Sequence, residues 1–311
     1  MRAADLLPTD ADAQLKAGSM LLAAGRTEDA KARADKVLAL SPKNAKALVL
    51  RASALAGLTD LDGAITQIQA AIALDPTAGS QTNLGLFQLA KGRREEAETA
   101  FRRAIATDPG SVPARLALGQ FLWATGRAEE AEAAFKAALA LDAGNVGANR
   151  ALATFYVASN RAAEAEPYFR KLADAGDAPA AKLALAEYYV TVRRNTDVLA
   201  VLEQLSAAPG NWALARSRVA ALLYSGGKTA EAYRAIDEVI AKQPGYAEAR
   251  VIRGRLLLAD GKTDGALGEA QQAVKSDQRN AEAHFLLGSI RKAKRDFEGA
   301  EDARKVLRSL G

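Results

Sequence analysis

Residues 113–141, PARLALGQFLWATGRAEEAEAAFKAALAL, set the fold of this chain. Leu116, Leu118 and Leu122, then Ala131, Ala134, Phe135 and Ala138, recur at helical spacing, which predicts two amphipathic helices. Gly126-Arg127 separates them, and glycine closes a helix cheaply because it enters the left-handed conformation without strain. Glu129-Glu130 fall in the first turn of the second helix, where they complement its dipole. The stretch is a helix, a tight turn and a helix.

On both sides of it the same turn recurs every 33 or 34 residues. Clear copies are Gly25-Arg26, Gly92-Arg93, Asn160-Arg161, Gly227-Lys228 and Gly261-Lys262, with degenerate copies at Thr59-Asp60, Arg193-Arg194 and Arg295-Asp296. A fixed period of this size predicts a stack of helical hairpins, each burying its apolar face on the next. Between units lie links such as Ser41-Pro42, Asp75-Pro76, Asp108-Pro109 and Gln243-Pro244, where proline ends a helix. Two columns of small residues run through the period. The first helix of each hairpin carries Gly18, Ala52, Gly85, Gly119, Ala153, Ala186, Ala220, Gly254 or Gly288. The second carries Ala30, Ala64, Ala97, Ala131, Ala165, Ala232, Ala266 or Ala300, with Val198 the departure. Matched small residues mark where neighbouring helices come closest. Four residues after the second column stand Ile68, Phe101, Phe135, Phe169, Leu202 and Ile236, read as core.

Bulk properties narrow the chemistry. Aromatic residues make up 5% of 311, and Lys/Arg exceed Asp/Glu by a net charge of +5. The charges interleave, as in Arg93-Arg94-Glu95-Glu96, which describes solvated helix faces rather than a nucleic-acid footprint. The basic excess near the end (Arg291, Lys292, Lys294, Arg295) alternates with acids too. Cysteine is absent and His284 is the single histidine, so thiolate catalysis and transition-metal sites lack their ligands, and no metal or cofactor is expected. His284 is expected to pack, and Gly226-Gly227-Lys228 reads as a hairpin turn rather than a phosphate loop. No apolar run approaches a membrane span. Residues 1–12 read as a polar lead-in to a helix, which places the chain in the cytoplasm, or in the periplasm if an export signal has been removed.

These features resemble the tetratricopeptide repeat (TPR) proteins. Leu84-Gly85, Leu118-Gly119 and Leu287-Gly288, Tyr156 and Tyr189, the alanine column, the phenylalanines and the closing prolines carry the resemblance. It implies an all-α, right-handed superhelical solenoid forming one domain over residues 1–311. Its nine repeats span about 11–44, 45–77, 78–111, 112–145, 146–178, 179–212, 213–246, 247–280 and 281–311. The links around Asp174–Pro179 and the turn and Val198 of the sixth repeat fit least well, and altered curvature and simple drift both remain open there.

The resemblance also implies a groove lined by the first helices. Its expected residues are Leu86, Leu89, Leu116, Gln120, Trp123, Arg150, Thr154, Val157, Leu183, Glu187, Val190, Ser217, Ala221, Tyr224, Val251 and Arg255. Such a stripe suits a peptide or helix with hydrophobic anchors, Trp123 and Tyr224 above all. A Lys/Asn clamp of the kind some TPR proteins use for chaperone tails is missing, since Leu15, Ser19, Val49, Ser53, Thr82 and Leu86 hold those positions. The expectation is a non-enzymatic scaffold for protein partners, in the style of bacterial envelope or multiprotein assemblies. Self-association through a terminal hairpin, with helix 298–310 as a charged outer cap, and a regulatory domain cut from a larger protein are the alternatives.

Overall fold

A computed structural model of the protein describes residues 5–176 and 178–310, and each regular element in them is helical. The first helices of the hairpins (A helices) are α1 (Ala11–Ala23), α3 (Ala45–Gly57), α5 (Ala78–Ala90), α7 (Val112–Ala124), α9 (Val146–Ala158), α11 (Pro179–Thr191), α13 (Trp212–Ser225), α15 (Ala247–Ala259) and α17 (Ala281–Ala293). The B helices are α2 (Thr27–Leu40), α4 (Leu61–Leu74), α6 (Arg94–Thr107), α8 (Ala128–Leu141), α10 (Glu166–Asp174), α12 (Asn195–Ala207), α14 (Thr229–Lys242), α16 (Thr263–Ser276) and α18 (Phe297–Leu310). They gather into two compact units that divide after Arg161. In the first unit four hairpins, α1–α2 to α7–α8, pack in sequence and α9 closes on α8. In the second, α10 leads into the four hairpins α11–α12 to α17–α18. Tandem helix pairs packed in chain order are the fold the period predicts.

The turns behave as the recurring pair requires. Gly25, Gly92, Gly126, Gly227 and Gly261 take φ between 74° and 81°, and Thr59, Asn160, Arg193 and Arg295 take φ between 58° and 66°. In each, the following N–H reaches back to the fifth residue before it, as Arg127 N does to Leu122 O at 2.9 Å, satisfying a carbonyl that the helix end leaves free. Helix starts rest on a signal the period had hidden. Asp10, Asn44, Thr77, Ser111, Asn145 and Asn280, each just before an A helix, accept from the N–H three residues on.

The small columns hold the hairpins together, in a more specific way than close backbones. A methyl carbon on Gly85 would sit 2.5 Å from the ring of Phe101, and one on Gly119 would sit 2.5 Å from Phe135. At these two positions glycine on the A helix makes room for an aromatic on its B helix, while Gly18 and Gly254 make room for Leu50 and Leu286 of the next A helix. Phe101 and Phe135 are fully buried, as are the column alanines from Ala30 to Ala266. Phe169 is only half-buried and stacks on Tyr188, with centroids 5.1 Å apart.

The basic residue of the turn also finds a purpose. Arg127 bridges to Glu98 (2.7 Å), Arg161 to Glu132 (2.6 Å) and Arg194 to Glu166 (2.6 Å). Each pair is 28 or 29 residues apart, so the turn of one repeat is tied to the B helix of the repeat before it. Lys91 with Asp62 and Lys294 with Asp264 repeat the link from the neighbouring position.

Two departures are local. Pro167 brings no N–H to the start of the fifth B helix, so Ala162–Glu164 form a 3-10 turn and α10 keeps 9 residues where α8 has 14. The link expected over Asp174–Pro179 includes Asp177, which lies outside the described residues.

Candidate functional site

In the first unit Leu86 (45% exposed), Gln120, Arg150, Thr154 and Val157 are exposed, while Leu89 and Leu116 are half-buried. Trp123 is half-buried, with its ring edge-on to Phe155 (5.5 Å) and Phe135 (6.5 Å). This packing fixes the indole in place.

In the second unit Glu187, Val190 (50% exposed) and Arg255 are exposed, and Leu183, Ala221 and Tyr224 are half-buried. Arg255 pairs with Glu282 at 3.1 Å. The Tyr224 hydroxyl donates to Asp260 at 2.5 Å, and Tyr233 donates to the other oxygen of that carboxylate at 2.9 Å. Two of the expected positions are not on the surface. Ser217 and Val251 are each 1% exposed, because α13 packs on α15 and α15 on α17.

Four of the expected residues come together. Leu183, Glu187 and Val190 of α11 face Ala221 of α13 across a cleft of about 240 Å³, floored by Val198 and Leu202 of α12. Successive A helices approach within 8 Å between Cα atoms at every other junction inside a unit, but α11 and α13 do not. Val198 stands here where every other repeat has alanine, and Arg218 occupies a position that is aliphatic in the other repeats from the fourth onward (Ala117, Ala151, Ala184, Ile252, Leu286). Val198 forms part of the floor of the cleft and Arg218 part of its wall. Arg218 is a cleft residue that the sequence reading missed, and its signal was that break in an aliphatic run.

Chemically the cleft is an apolar slot between one acid and one base. Its volume lies below the roughly 300–1,000 Å³ of sites for small molecules, so it suits a single side chain. Among the described residues no group of three His, Cys, Asp or Glu could hold a metal ion, and no helix is long and apolar enough to cross a membrane.

Comparison with known proteins places this architecture. The tetratricopeptide repeat pattern matches residues 3–79, 82–146, 220–277 and 253–308, and a second tetratricopeptide repeat pattern matches residues 126–187. The chain belongs to the tetratricopeptide repeat family. Among solved structures, PilF of Pseudomonas aeruginosa is similar at 22% identity and a TM-score of 0.51, over 64% of this chain and 92% of that one. PilW, described as a widely conserved type IV pilus biogenesis factor, is similar at 23% and 0.52, over 63% and 92%. A thermophilic TPR protein of Thermus thermophilus is similar at 24% and 0.51, over 58% and 100%. At such identities the likeness is one of fold alone. No curated protein matches the chain.

TPR scaffolds are generally non-catalytic and typically bind proteins. His284 fits that setting: it is 6% exposed, and its Nε2 lies 3.0 Å from the Gln278 carbonyl in the preceding link. Arg115, Asn149 and Arg250 of the same TPR column donate to Pro109, Ala143 and Pro244 in the same way. The histidine is a helix-to-link tie.

Proposed function

We propose that the chain is a non-enzymatic scaffold that holds a segment of a partner protein on its A-helix face, with an apolar side chain of that segment in the α11–α13 cleft. The cleft carries this reading, since it is an open apolar slot to which Leu183, Glu187, Val190 and Ala221 of the expected groove contribute. Val190 and Leu183 would contact the inserted side chain, while Glu187 and Arg218 would select charges beside it. On the first unit, taken by itself, Leu86, Leu116 and Val157 offer apolar contact and Trp123 a rigid aromatic edge. The setting we propose is a bacterial envelope-associated assembly, a reading supported by the fold shared with pilus-biogenesis proteins.

The test is selection of peptides from a displayed random library on the whole chain. Selected peptides should share one apolar position and lose about tenfold or more in affinity to Val190→Asp and to Leu183→Glu. Peptides that bind both variants as well as the wild type would remove the cleft from the function.

One observation favours self-association as a second reading. The charged side of α18 is solvated, as a cap should be, but Phe285 (62% exposed) and Phe297 (65% exposed) flank a cleft beside it. Light scattering over a concentration series tests this, and a mass that stays monomeric throughout excludes it.

A further inference from the structure

The last hairpin carries a cleft of about 450 Å³ between α17 and α18, bordered by Phe285, Gly288, Phe297 and Leu307. The period says what this cleft is. Val251, Gly254, Ala266, Ala270 and Ala273 stand one period before Phe285, Gly288, Ala300, Arg304 and Leu307. In the eighth hairpin that surface is covered, because Ala283, Leu286, Leu287 and Ile290 of α17 share one buried cluster with Val251 and the three alanines. A methyl carbon on Gly254 would stand 2.9 Å from Leu286 of α17, whereas one on Gly288 would meet only its own B helix, at Ala303 and the Ala300 carbonyl. Val251 is 1% exposed and Phe285 62%. The cleft is therefore a seat for an A helix, and among the described residues no A helix lies in it.

The first hairpin presents a helix of the matching kind. Among the described residues α1 packs on α2 and α3 alone, so its side away from α3 is open. Counted from the column residues Gly18 and Gly288, its Ala13, Lys16, Ala17 and Met20 occupy the positions that Ala283, Leu286, Leu287 and Ile290 hold in α17. Ile290 is fully buried on the eighth hairpin, but Met20 is 56% exposed. Leu7, whose carbonyl accepts from Gln14 at 3.2 Å, is 51% exposed beside it. Isolated exposed apolar side chains are ordinary, but here both halves of one repeated interface are uncovered. The charges agree. Lys292 and Arg304 stand against Glu301 in the seat, while Asp10 and Asp12 stand against Lys16 on α1 and its cap, so the seat is positive by one and the helix negative by one. Arg304, which replaces the Ala270 of the previous repeat, is exposed and free to turn toward solvent.

We propose, building on the self-association reading, that α1 of a second copy seats in the α17–α18 cleft and joins copies head to tail. Met20 then takes the place that Ile290 holds one hairpin earlier, and the Lys16 stem lies over Gly288 as Leu286 lies over Gly254. Such a contact joins unlike surfaces, so copies add as open chains or close into rings.

Sedimentation of the 311-residue chain over a concentration series should show a mass that rises with concentration. Phe285→Asp, which spoils the seat, and Met20→Asp, which spoils the seated helix, should each weaken association by about tenfold or more. Both residues are exposed, and melting curves check that each variant keeps its fold. An equimolar mixture of the two variants should regain association and stop at a 1:1 dimer, since one intact seat and one intact α1 remain. A wild-type mass that stays monomeric throughout overturns the contact together with self-association. Either variant associating alone as strongly as the wild type, or a mixture that stays monomeric, overturns the head-to-tail contact while leaving self-association to another surface.

Discussion

Glu132 on α8 accepts a hydrogen bond from the buried Tyr156 hydroxyl on α9 at 2.8 Å, tying one repeat to the next. Arg161 (2.6 Å) and Lys136 (2.7 Å) complete its partners, and Tyr189 with Glu166 repeats the pair at 3.0 Å in the second unit. The Arg161 hydrogen bond, aided by Lys136, holds the Glu132 carboxyl down at about 2 from an ordinary 4.5. A depressed carboxyl stabilises the fold above its ordinary value and ceases to do so as pH falls through about 2. Thermal melting should therefore weaken between about pH 4.5 and pH 2. Glu132→Gln should cost about 2 kcal/mol at neutral pH and flatten that acid limb. Acid limbs of equal slope in variant and wild type would mean that Glu132 does not carry the effect.

Gly119→Ala tests the packing of an A helix on its own B helix. The added methyl would stand 2.5 Å from the buried Phe135 ring, so a loss of about 1–3 kcal/mol is expected in chemical denaturation. Phe135→Leu in the same chain should recover part of that loss by removing the clashing ring edge. If the single variant is as stable as the wild type, the ring is free to move and the close-packed reading is wrong.

Thr59 holds a turn position at φ 66°, where a β-branched side chain is strained. Thr59→Gly should raise stability by about 0.5–1 kcal/mol, the strain relieved exceeding the chain entropy that glycine adds. Gly92→Ala, at φ 77°, should move the melting temperature the other way. Shifts of the same sign in the two variants would contradict the account.

The Asp260 clasp is read at high pH. Burial, with help from the hydrogen bond to Asp260, pushes the Tyr233 hydroxyl up to about 12. A raised value means that stability from this group is present below the ordinary 10.0 and is lost as pH rises through about 12. Asp260→Asn should lower the Tyr233 midpoint in an NMR titration of labelled tyrosine. A midpoint unchanged by the substitution would leave burial as its sole cause.

Much of this was legible from the chain alone, and what was not has identifiable causes. The turn pairs located the left-handed residues that close the A helices, from Gly25 to Arg295, because a reversal between helices needs that conformation wherever it falls. The caps Asn44, Ser111 and Asn280 were readable but hidden among link residues that vary in type. Pro167 was readable as well, since a proline in a helical period always removes a donor. Ser217 and Val251 were placed on the surface by spacing, yet spacing cannot say how closely neighbouring A helices approach.

The hairpin, its period and the family were all written in the chain, since they rest on contacts within a few turns and on residue types. Where the stack opens is a matter of tertiary packing. The clefts on either side of Leu202 arise from side chains of different repeats meeting across α11, α12, α13 and α14, and Arg216 chooses Glu238 over its own link. Such choices compare partners far apart in the chain, and local periodicity does not encode the comparison.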